Sequence, residues 1–405
     1  MKGFKDYYPE EKRIQNYIFD KWKSIAQKYC FEEIDGPILE PVELYQKSGQ
    51  EIPEQMYVLT DKSDRKLALR PELTPTIARM ISQNPNIRKP LKWYSIGPFF
   101  RYEQPQFGRA REFFQINLDI LGTRSMKADA EVITTAVKLM QSFGFTKKDF
   151  YIRISNRKLI QALLLELGIK QDSLKEIYRL IDKLCKITKK DFELTLKEKG
   201  LTQKQISSLL ELLEIKDLNK IKINNQGLDE LKQLFNYLKQ YNVLEFCRLD
   251  LSIMRGLDYY TSTVFEVFDS SRELRAIAGG GRYDELAKNC PGVGYAMGDV
   301  VLELFLKNKN KLPVLDRKID FYIAAINENM DKEAIKIAET LRKSYSVEID
   351  LLERNLSKQL EYANSIKAEK VIILGPDEIK KKKLKIKDMK TGKEKLATLK
   401  QLINC

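Results

Sequence analysis

Between residues 98 and 122 the chain gathers groups suited to holding an anion and an amine side by side: Arg101, Glu103, Arg109 and Arg111, then Gln115, Asn117 and Asp119 at every second position. Stretches 91–103 and 112–122 read as two strands joined by a polar loop, an antiparallel hairpin. Alternation puts Phe114, Ile116, Leu118 and Ile120 on one face of the second strand and Gln115, Asn117 and Asp119 on the other, with Phe113 at their head. A face turned to bulk water more commonly carries Lys, Glu or Thr. On the first strand Arg101 and Glu103 share a parity, and the loop adds Arg109 and Arg111. Guanidinium forks match phosphate oxygens in pairs, while an amide and a carboxylate suit an amine. The same residues would also make a surface ion-pair network, so the pattern alone leaves both open.

What the sequence lacks narrows the chemistry. It contains 0 histidines. Imidazole-based triads, imidazole metal ligands and imidazole acid–base catalysis are therefore excluded. A reaction run by placing charge, such as nucleotidyl transfer, needs none of them. No G-x-x-x-x-G-K-[ST] is present, and Gly279-Gly280-Gly281 does not fit the dinucleotide spacing G-x-G-x-x-G. Cys30, Cys185, Cys247, Cys290 and Cys405 are scattered, with no C-x-x-C pair. That argues against a disulfide framework or a zinc site and for buried free thiols.

These groups need a scaffold. A chain of 405 residues, 43% hydrophobic and 32% charged, is expected to form two or three globular domains. No apolar run is long enough to span a membrane, and the start, Met1-Lys2-Gly3-Phe4-Lys5-Asp6, leads into a charged helix rather than a secretory signal, so a cytoplasmic protein is expected. Residues 10–29 carry Ile14, Tyr17, Ile18, Trp22 and Ile25 as one helical stripe, and 65–70 alternate as a short strand. From 157 to 243 Leu, Ile and Lys recur at helical spacing while Gly and Pro nearly vanish, which predicts a helical insertion. Strands are expected again at 249–254 and 261–268, then a helix near 299–307 and a polar linker over 307–318. Beyond it, strand and helix alternate (319–326, 331–344, 347–352, 357–366, 370–374), the pattern of a small α/β domain. The expected organisation is α+β: catalytic core in two parts, 1–156 and 244–310, the insertion 157–243 between them, and a C-terminal domain over 318–405. The net charge of +14, from 71 Lys and Arg against 57 Asp and Glu, favours a polyanionic partner such as nucleic acid, or merely reflects a lysine-rich soluble surface. The ten lysines and two acids of 380–400 carry the same two readings.

Five segments together resemble one family. Arg101-Tyr102-Glu103-Gln104-Pro105-Gln106 with Gly108-Arg109-Ala110-Arg111-Glu112-Phe113-Phe114-Gln115 resembles motif 2 of class II aminoacyl-tRNA synthetases in its histidine-specific form. Arg255-Gly256-Leu257-Asp258-Tyr259-Tyr260 and Ala278-Gly279-Gly280-Gly281-Arg282-Tyr283-Asp284 are similar to the two histidine-specific blocks, the latter with one extra glycine. Arg70-Pro71-Glu72-Leu73-Thr74 resembles the R-P-E-x-T element, and Arg354–Leu360 with Val371–Gly375 resemble the class IIa anticodon-binding domain. The likeness covers most of the chain and is weak only in the insertion.

The resemblance implies an antiparallel catalytic sheet flanked by helices and an α/β anticodon domain. It implies an enzyme that activates L-histidine with ATP and Mg2+ and transfers it to tRNA(His). By the same resemblance Arg101 and Arg255 are catalytic, flanking the α-phosphate. Arg109 reaches the terminal phosphates, Glu103 meets the adenine amino group and Phe113 stacks on the base. Glu72, Thr74, Gln115 and Asp119 bind the amino group and part of the ring, with Arg255, Tyr259, Tyr260 and Tyr283 also at histidine. Gln106 contacts the tRNA acceptor end, no residue holds a metal by itself, and the helix at 10–29 belongs to a homodimer interface or faces the monomer core. One position departs from the pattern: motif 3 normally ends in an arginine that clamps ATP, and here that position is Val301. Arg275 or Arg282 is then left to fill the space, or the clamp is absent. The alternative function is that of catalytically inactive relatives, histidine-sensing regulatory subunits of ATP phosphoribosyltransferase.

Overall fold

The computed structural model describes residues 1–405 apart from 47, 50, 105, 107, 185, 186, 288, 289, 404 and 405, so Cys185, Cys405 and Pro105 lie outside the described residues. The chain forms two units, Met1–Pro313 and Val314–Cys405. Strands of the first are β1 (Glu32–Glu33), β2 (Leu39–Pro41), β3 (Tyr57–Thr60), β4 (Lys66–Leu69), β5 (Leu91–Phe100), β6 (Glu112–Leu121), β7 (Phe150–Asn156), β8 (Cys247–Leu249), β9 (Thr263–Asp269), β10 (Ala278–Ala287) and β11 (Cys290–Gly298). Its helices are α1 (Pro9–Lys28), α2 (Glu51–Glu54), α3 (Thr74–Gln83), α4 (Met126–Ser142), α5 (Arg157–Glu166), α6 (Leu174–Lys183), α7 (Lys189–Glu198), α8 (Gln203–Leu213), α9 (Gln226–Gln240) and α10 (Asp299–Asn308).

Eight strands make one sheet in the order β1-β5-β6-β11-β10-β9-β7-β8. The pairs β1–β5 and β7–β8 are parallel and the rest antiparallel. On one face Ile116, Leu118 and Ile120 of β6 join Ile18, Trp22 and Ile25 of α1 and Ile133 and Val137 of α4 in the largest core. Helix α1 starts at Pro9, whose missing N–H costs nothing there, and carries Glu10 and Glu11 in its first turn and Lys28 in its last, each matched to the helix dipole. Of its apolar stripe, Ile18, Trp22 and Ile25 are buried in this core, and Ile14 and Tyr17 are half-buried against it. Asp299 opens α10 and ties three elements together: it accepts the Phe114 N–H at 3.0 Å and the Gln15 amide of α1 at 3.4 Å. Burial pushes its carboxyl up to about 6.

The opposite face of β6 is covered rather than wet. Across it pack Leu73 and Ile77 of the α3 region with Tyr259, Tyr260 and Tyr283. The predicted polar face is thus largely withdrawn from solvent: Asn117 is 5% and Asp119 2% exposed, and Gln115 is half-buried. In register, Ser95 and Ala296 stand beside Asn117, and Gly294 and Trp93 beside Asp119. The small residues Ser95, Gly294 and Ala296 leave open space above this part of the sheet.

Several expected boundaries move. The first hairpin strand ends at Phe100, so Arg101 and Glu103 lie beyond the sheet and strand parity does not apply to them. The Glu103 N–H instead donates to the Arg101 carbonyl, and the Arg101 N–H to that of Arg111. Strand β8 spans 247–249, and 250–254 is turn and loop rather than strand, its start fixed by Asp250 pairing with Arg153. The insertion builds α5 to α9, with α9 packed on α4. Cys247 and Cys290 are buried free thiols, but Cys30 is exposed, because it sits at the end of α1 with φ +59.

The second unit has β12 (Phe321–Ala325), β13 (Val347–Ile349), β14 (Lys370–Leu374), β15 (Leu384–Asp388) and β16 (Glu394–Ala397), with α11 (Asp331–Leu341), α12 (Leu356–Ser365), α13 (Pro376–Lys381) and α14 (Leu399–Ile403). Strand order is β13-β12-β14-β15-β16, parallel for the first three and antiparallel after β14. The lysine-rich stretch forms the β15–β16 hairpin at the sheet edge, where lysine discourages further strand pairing. Among the described residues no helix is long and apolar enough to cross a membrane.

Candidate active site

A cavity of about 250 Å³ opens on the β6, β10 and β11 face of the sheet. Arginines gather at one end. Arg101 donates from Nε to the Pro71 carbonyl at 3.0 Å, with its guanidinium 5.4 Å from the Phe113 ring centre. Arg109 pairs with Glu103 at 2.6 Å, and Arg275 lies 3.8 Å from the same carboxylate oxygen. Arg255 pairs with Glu266 at 2.7 Å. Burial works against charge on Arg255, but Glu266, with Tyr260 and Asp182, more than offsets it and the guanidinium is held firmly protonated. The Nε–H groups of Arg109 and Arg255 are buried without an acceptor among the described residues. Buried donors are normally satisfied, which sets these two groups apart.

At the other end are acids and tyrosines. The Tyr259 hydroxyl donates to Glu72 at 2.7 Å, and the Tyr283 hydroxyl donates to Asp119. The Tyr259 ring centre stands 5.0 Å from that of Tyr260 and 6.0 Å from that of Tyr283. Burial raises the proton affinity of both carboxyls. Asp119 is pushed up to about 7 against the pull of the Tyr283 hydroxyl, and Glu72 is raised too, with Ser48, Tyr259, Arg101 and Arg255 opposing the burial. Each carboxylate would be relieved by a cationic or N–H-bearing ligand.

The triple glycine has a spatial purpose here. It lies within β10, where a methyl at Gly279 would stand 2.6 Å from the Arg255 guanidinium carbon and one at Gly281 2.8 Å from the Tyr260 ring. Bare backbone lets both side chains lie flat on the sheet.

Of the residues singled out from sequence, Glu72, Thr74, Arg101, Glu103, Arg109, Phe113, Gln115, Arg255, Tyr259, Tyr260 and Tyr283 all line this cavity. Asp119 sits behind Tyr283. Gln106 is exposed in the hairpin loop, outside the lining, where its carbonyl accepts the Arg109 N–H at 2.8 Å. Of the two arginines that stand as replacements for the one missing at 301, Arg275 lines the cavity together with Val301. Arg282 does not: it is 1% exposed and bound to Asp129 and to the carbonyls of Thr123 and Ser125.

Residues 3–299 match the family model described as histidyl-tRNA synthetase, and residues 320–405 match that of an anticodon binding domain. The chain is 37% identical to the histidine–tRNA ligase of Haloarcula marismortui over 97% of its own length and 94% of that protein.

The chain belongs to the histidyl-tRNA synthetase family.

Histidine and tRNA are therefore its substrates, and ligation of the two is its reaction. The family's fold is present throughout: the crystal structure of histidyl-tRNA synthetase from Nostoc sp. PCC 7120 superposes with a TM-score of 0.82 at 26% identity, covering 99% of this chain and 98% of that one. The regulatory-subunit alternative gains no comparable support. A Bacillus halodurans protein described as an ATP phosphoribosyltransferase regulatory subunit/histidyl-tRNA synthetase superposes with a TM-score of 0.76 over 92% of this chain and 97% of that one, at 22% identity, which speaks to the fold alone.

One charged lining residue was given no place in the sequence-based site, and one polar residue was given a face but no role. Glu266, the partner of Arg255, is the one acid within the expected strand 261–268, and that isolation was the available signal. Asn117 stands out in the sequence only through its parity; in the cavity its buried Oδ1 accepts no hydrogen bond among the described residues.

Proposed function

We propose that the arginine end of the cavity takes the phosphates of ATP and the tyrosine end takes histidine, so that activation occurs where the two meet. The unsatisfied Nε–H groups of Arg109 and Arg255 carry this reading. The histidine carboxylate attacks the α-phosphorus, the bond to pyrophosphate breaks, and histidyl-adenylate forms. The nucleophile is already an anion, so no general base is required. Arg101 and Arg255 neutralise charge at the α-phosphate, Arg109 holds the terminal phosphates, and Phe113 stacks on adenine with Glu103 at its amino group. Glu72, Thr74 and Gln115 receive the ammonium of histidine. Asp119, through its bond with Tyr283, and Tyr260 face the imidazole, with Tyr259 holding Glu72 in place. A site that satisfies polar partners this way rejects amino acids lacking the matching groups. In the second step the 3′-hydroxyl of the tRNA attacks the adenylate carbonyl, its proton passing to a phosphate oxygen, with Gln106 at the acceptor end.

Magnesium would arrive on the phosphates of ATP, where it neutralises charge on the leaving pyrophosphate. Glu103 and Glu266 are the carboxylates at that end, and each is already paired with arginine, which suits a substrate-borne ion that keeps much of its water. Arg275 is the residue that supplies the positive charge missing at Val301. A homodimer is also proposed. The stripe of α1 is spent on its own core, but β2-β4-β3 leaves Leu39 and Leu59 exposed on one face, with Ile38 and Val58 beside them. A cytoplasmic location goes with tRNA as substrate.

The test is histidine-dependent exchange of labelled pyrophosphate into ATP. Exchange with histidine alone among the amino acids, abolished by Arg255→Ala, is the expected result. Exchange that survives Arg255→Ala would overturn the assignment of the arginine end.

A further inference from the structure

Arg255 is carried by a loop without regular structure, residues 250–262, and its own backbone sits at φ +58, a conformation that non-glycine residues hold only when their surroundings impose it. The structure contains the means of imposition. Arg157, the first residue of α5, lays its guanidinium inside the loop and donates to five of its carbonyls. Nε and one terminal nitrogen reach Met254 O at 3.0 and 2.8 Å, and that nitrogen also reaches Arg255 O at 2.6 Å and Leu257 O at 2.9 Å. The other terminal nitrogen reaches Tyr260 O at 2.9 Å and Asp258 O at 3.4 Å. Every one of these acceptors is main chain. The side chain therefore fixes the path of the loop rather than the charge of a neighbour.

Its base is equally fixed. The Arg157 N–H donates to the Ser262 carbonyl at 2.9 Å, closing the far end of the loop. On either side, the Asn156 amide and the Lys158 ammonium both bind Glu230 of α9, at 2.9 and 2.6 Å. A planar fork with five N–H groups can serve five carbonyls at once, whereas a lysine ammonium has three donors on a flexible stem.

We propose that Arg157 is a positioning residue for histidine activation: by gathering the carbonyls of residues 254–260 it sets where the Arg255 guanidinium stands, and it touches neither substrate. The inference rests on the proposal that Arg255 acts at the α-phosphate. It also gives the helices between β7 and β8 a part in the first step, because the brace is rooted on α5 and α9.

The experiment measures histidine-dependent pyrophosphate exchange for Arg157→Lys, Arg255→Lys and the double variant, with thermal unfolding alongside. Arg157→Lys is expected to lower kcat at least about tenfold while changing KM for ATP less than about threefold, since misplacement of a catalytic group acts on the transition state. In the double variant the loss is expected to exceed that of Arg255→Lys alone by less than about threefold, because Arg157 acts through Arg255. Wild-type kcat in Arg157→Lys, or losses that multiply in the double variant, would overturn the proposal. So would failure of Arg157→Lys to fold, which would make Arg157 a core residue. Wild-type exchange in Arg255→Lys would instead refute the assignment of Arg255, whatever Arg157 does.

Discussion

Asp119 offers the sharpest test of how this site trades stability for recognition. Its carboxyl is 2% exposed, and burial lifts its proton affinity from 3.8 to about 7 even though the Tyr283 hydroxyl donates to it. Each tenfold change in proton affinity is worth about 1.4 kcal/mol, so holding the ionised group in the folded chain costs on the order of 4 kcal/mol above neutral pH. The sign comes from proton binding. Between about pH 4 and pH 7 the folded chain keeps this proton more firmly than the unfolded chain, so stability falls as pH rises through that window. Asp119→Asn keeps the shape and removes the charge. It should therefore unfold at higher denaturant than wild type at pH 8, and the gap should close as pH falls towards 4, where both side chains are neutral. Histidine activation should move the other way. Losing a charged hydrogen-bond acceptor, worth about 1.5–3 kcal/mol, should lower kcat/KM for histidine roughly ten- to a hundredfold. Urea unfolding across that pH range, with pyrophosphate exchange on the same samples, reads both. A stability gap that does not change with pH, or a variant less stable than wild type at pH 8, would refute the reasoning.

Three further outcomes are expected. Arg275→Ala should raise KM for ATP about tenfold or more, the worth of one charge-assisted hydrogen bond, and leave KM for histidine unchanged; steady-state exchange kinetics check it. Gly279→Ala puts a methyl 2.6 Å from the Arg255 guanidinium carbon, so kcat should fall about a hundredfold while the far-ultraviolet dichroism stays that of wild type. Arg282→Met strands Asp129, which is 0% exposed, and should destabilise the fold by about 3–5 kcal/mol in urea unfolding; a loss below about 1 kcal/mol would count against Arg282 as a purely structural residue.

Local pattern reached far in this chain. The period-two alternation of 112–121 put Ile116, Leu118 and Ile120 in the core and Gln115, Asn117 and Asp119 on the opposite face, because a strand leaves its side chains no other choice of face. The helical stripe of α1, the α/β alternation after 320 and the exclusion of imidazole chemistry were likewise legible, since each depends on residue type and spacing alone. Motif wording pointed to Glu72, Thr74, Arg255, Tyr259, Tyr260 and Tyr283, which line the cavity. Parity misled at Arg101 and Glu103, where the strand had already ended and backbone hydrogen bonds between loop residues took over. It misled again at 250–254, where an apolar run is a braced loop.

Other features depended on contacts between residues far apart in the chain. That Arg282 pairs inward with Asp129 while Arg275 lines the same cavity as Val301, that Glu266 neutralises Arg255, and that the glycines of β10 clear space for Arg255 and Tyr260 all depend on which strands lie side by side. So does the elevation of Asp119, which comes from burial beneath Tyr283 and not from its sequence neighbours. Residue types and their spacing set which chemical groups were available and on which face of each element they stood. Packing of distant segments settled which of them were desolvated together, and desolvation is what turns an arginine and a carboxylate from surface charges into a site.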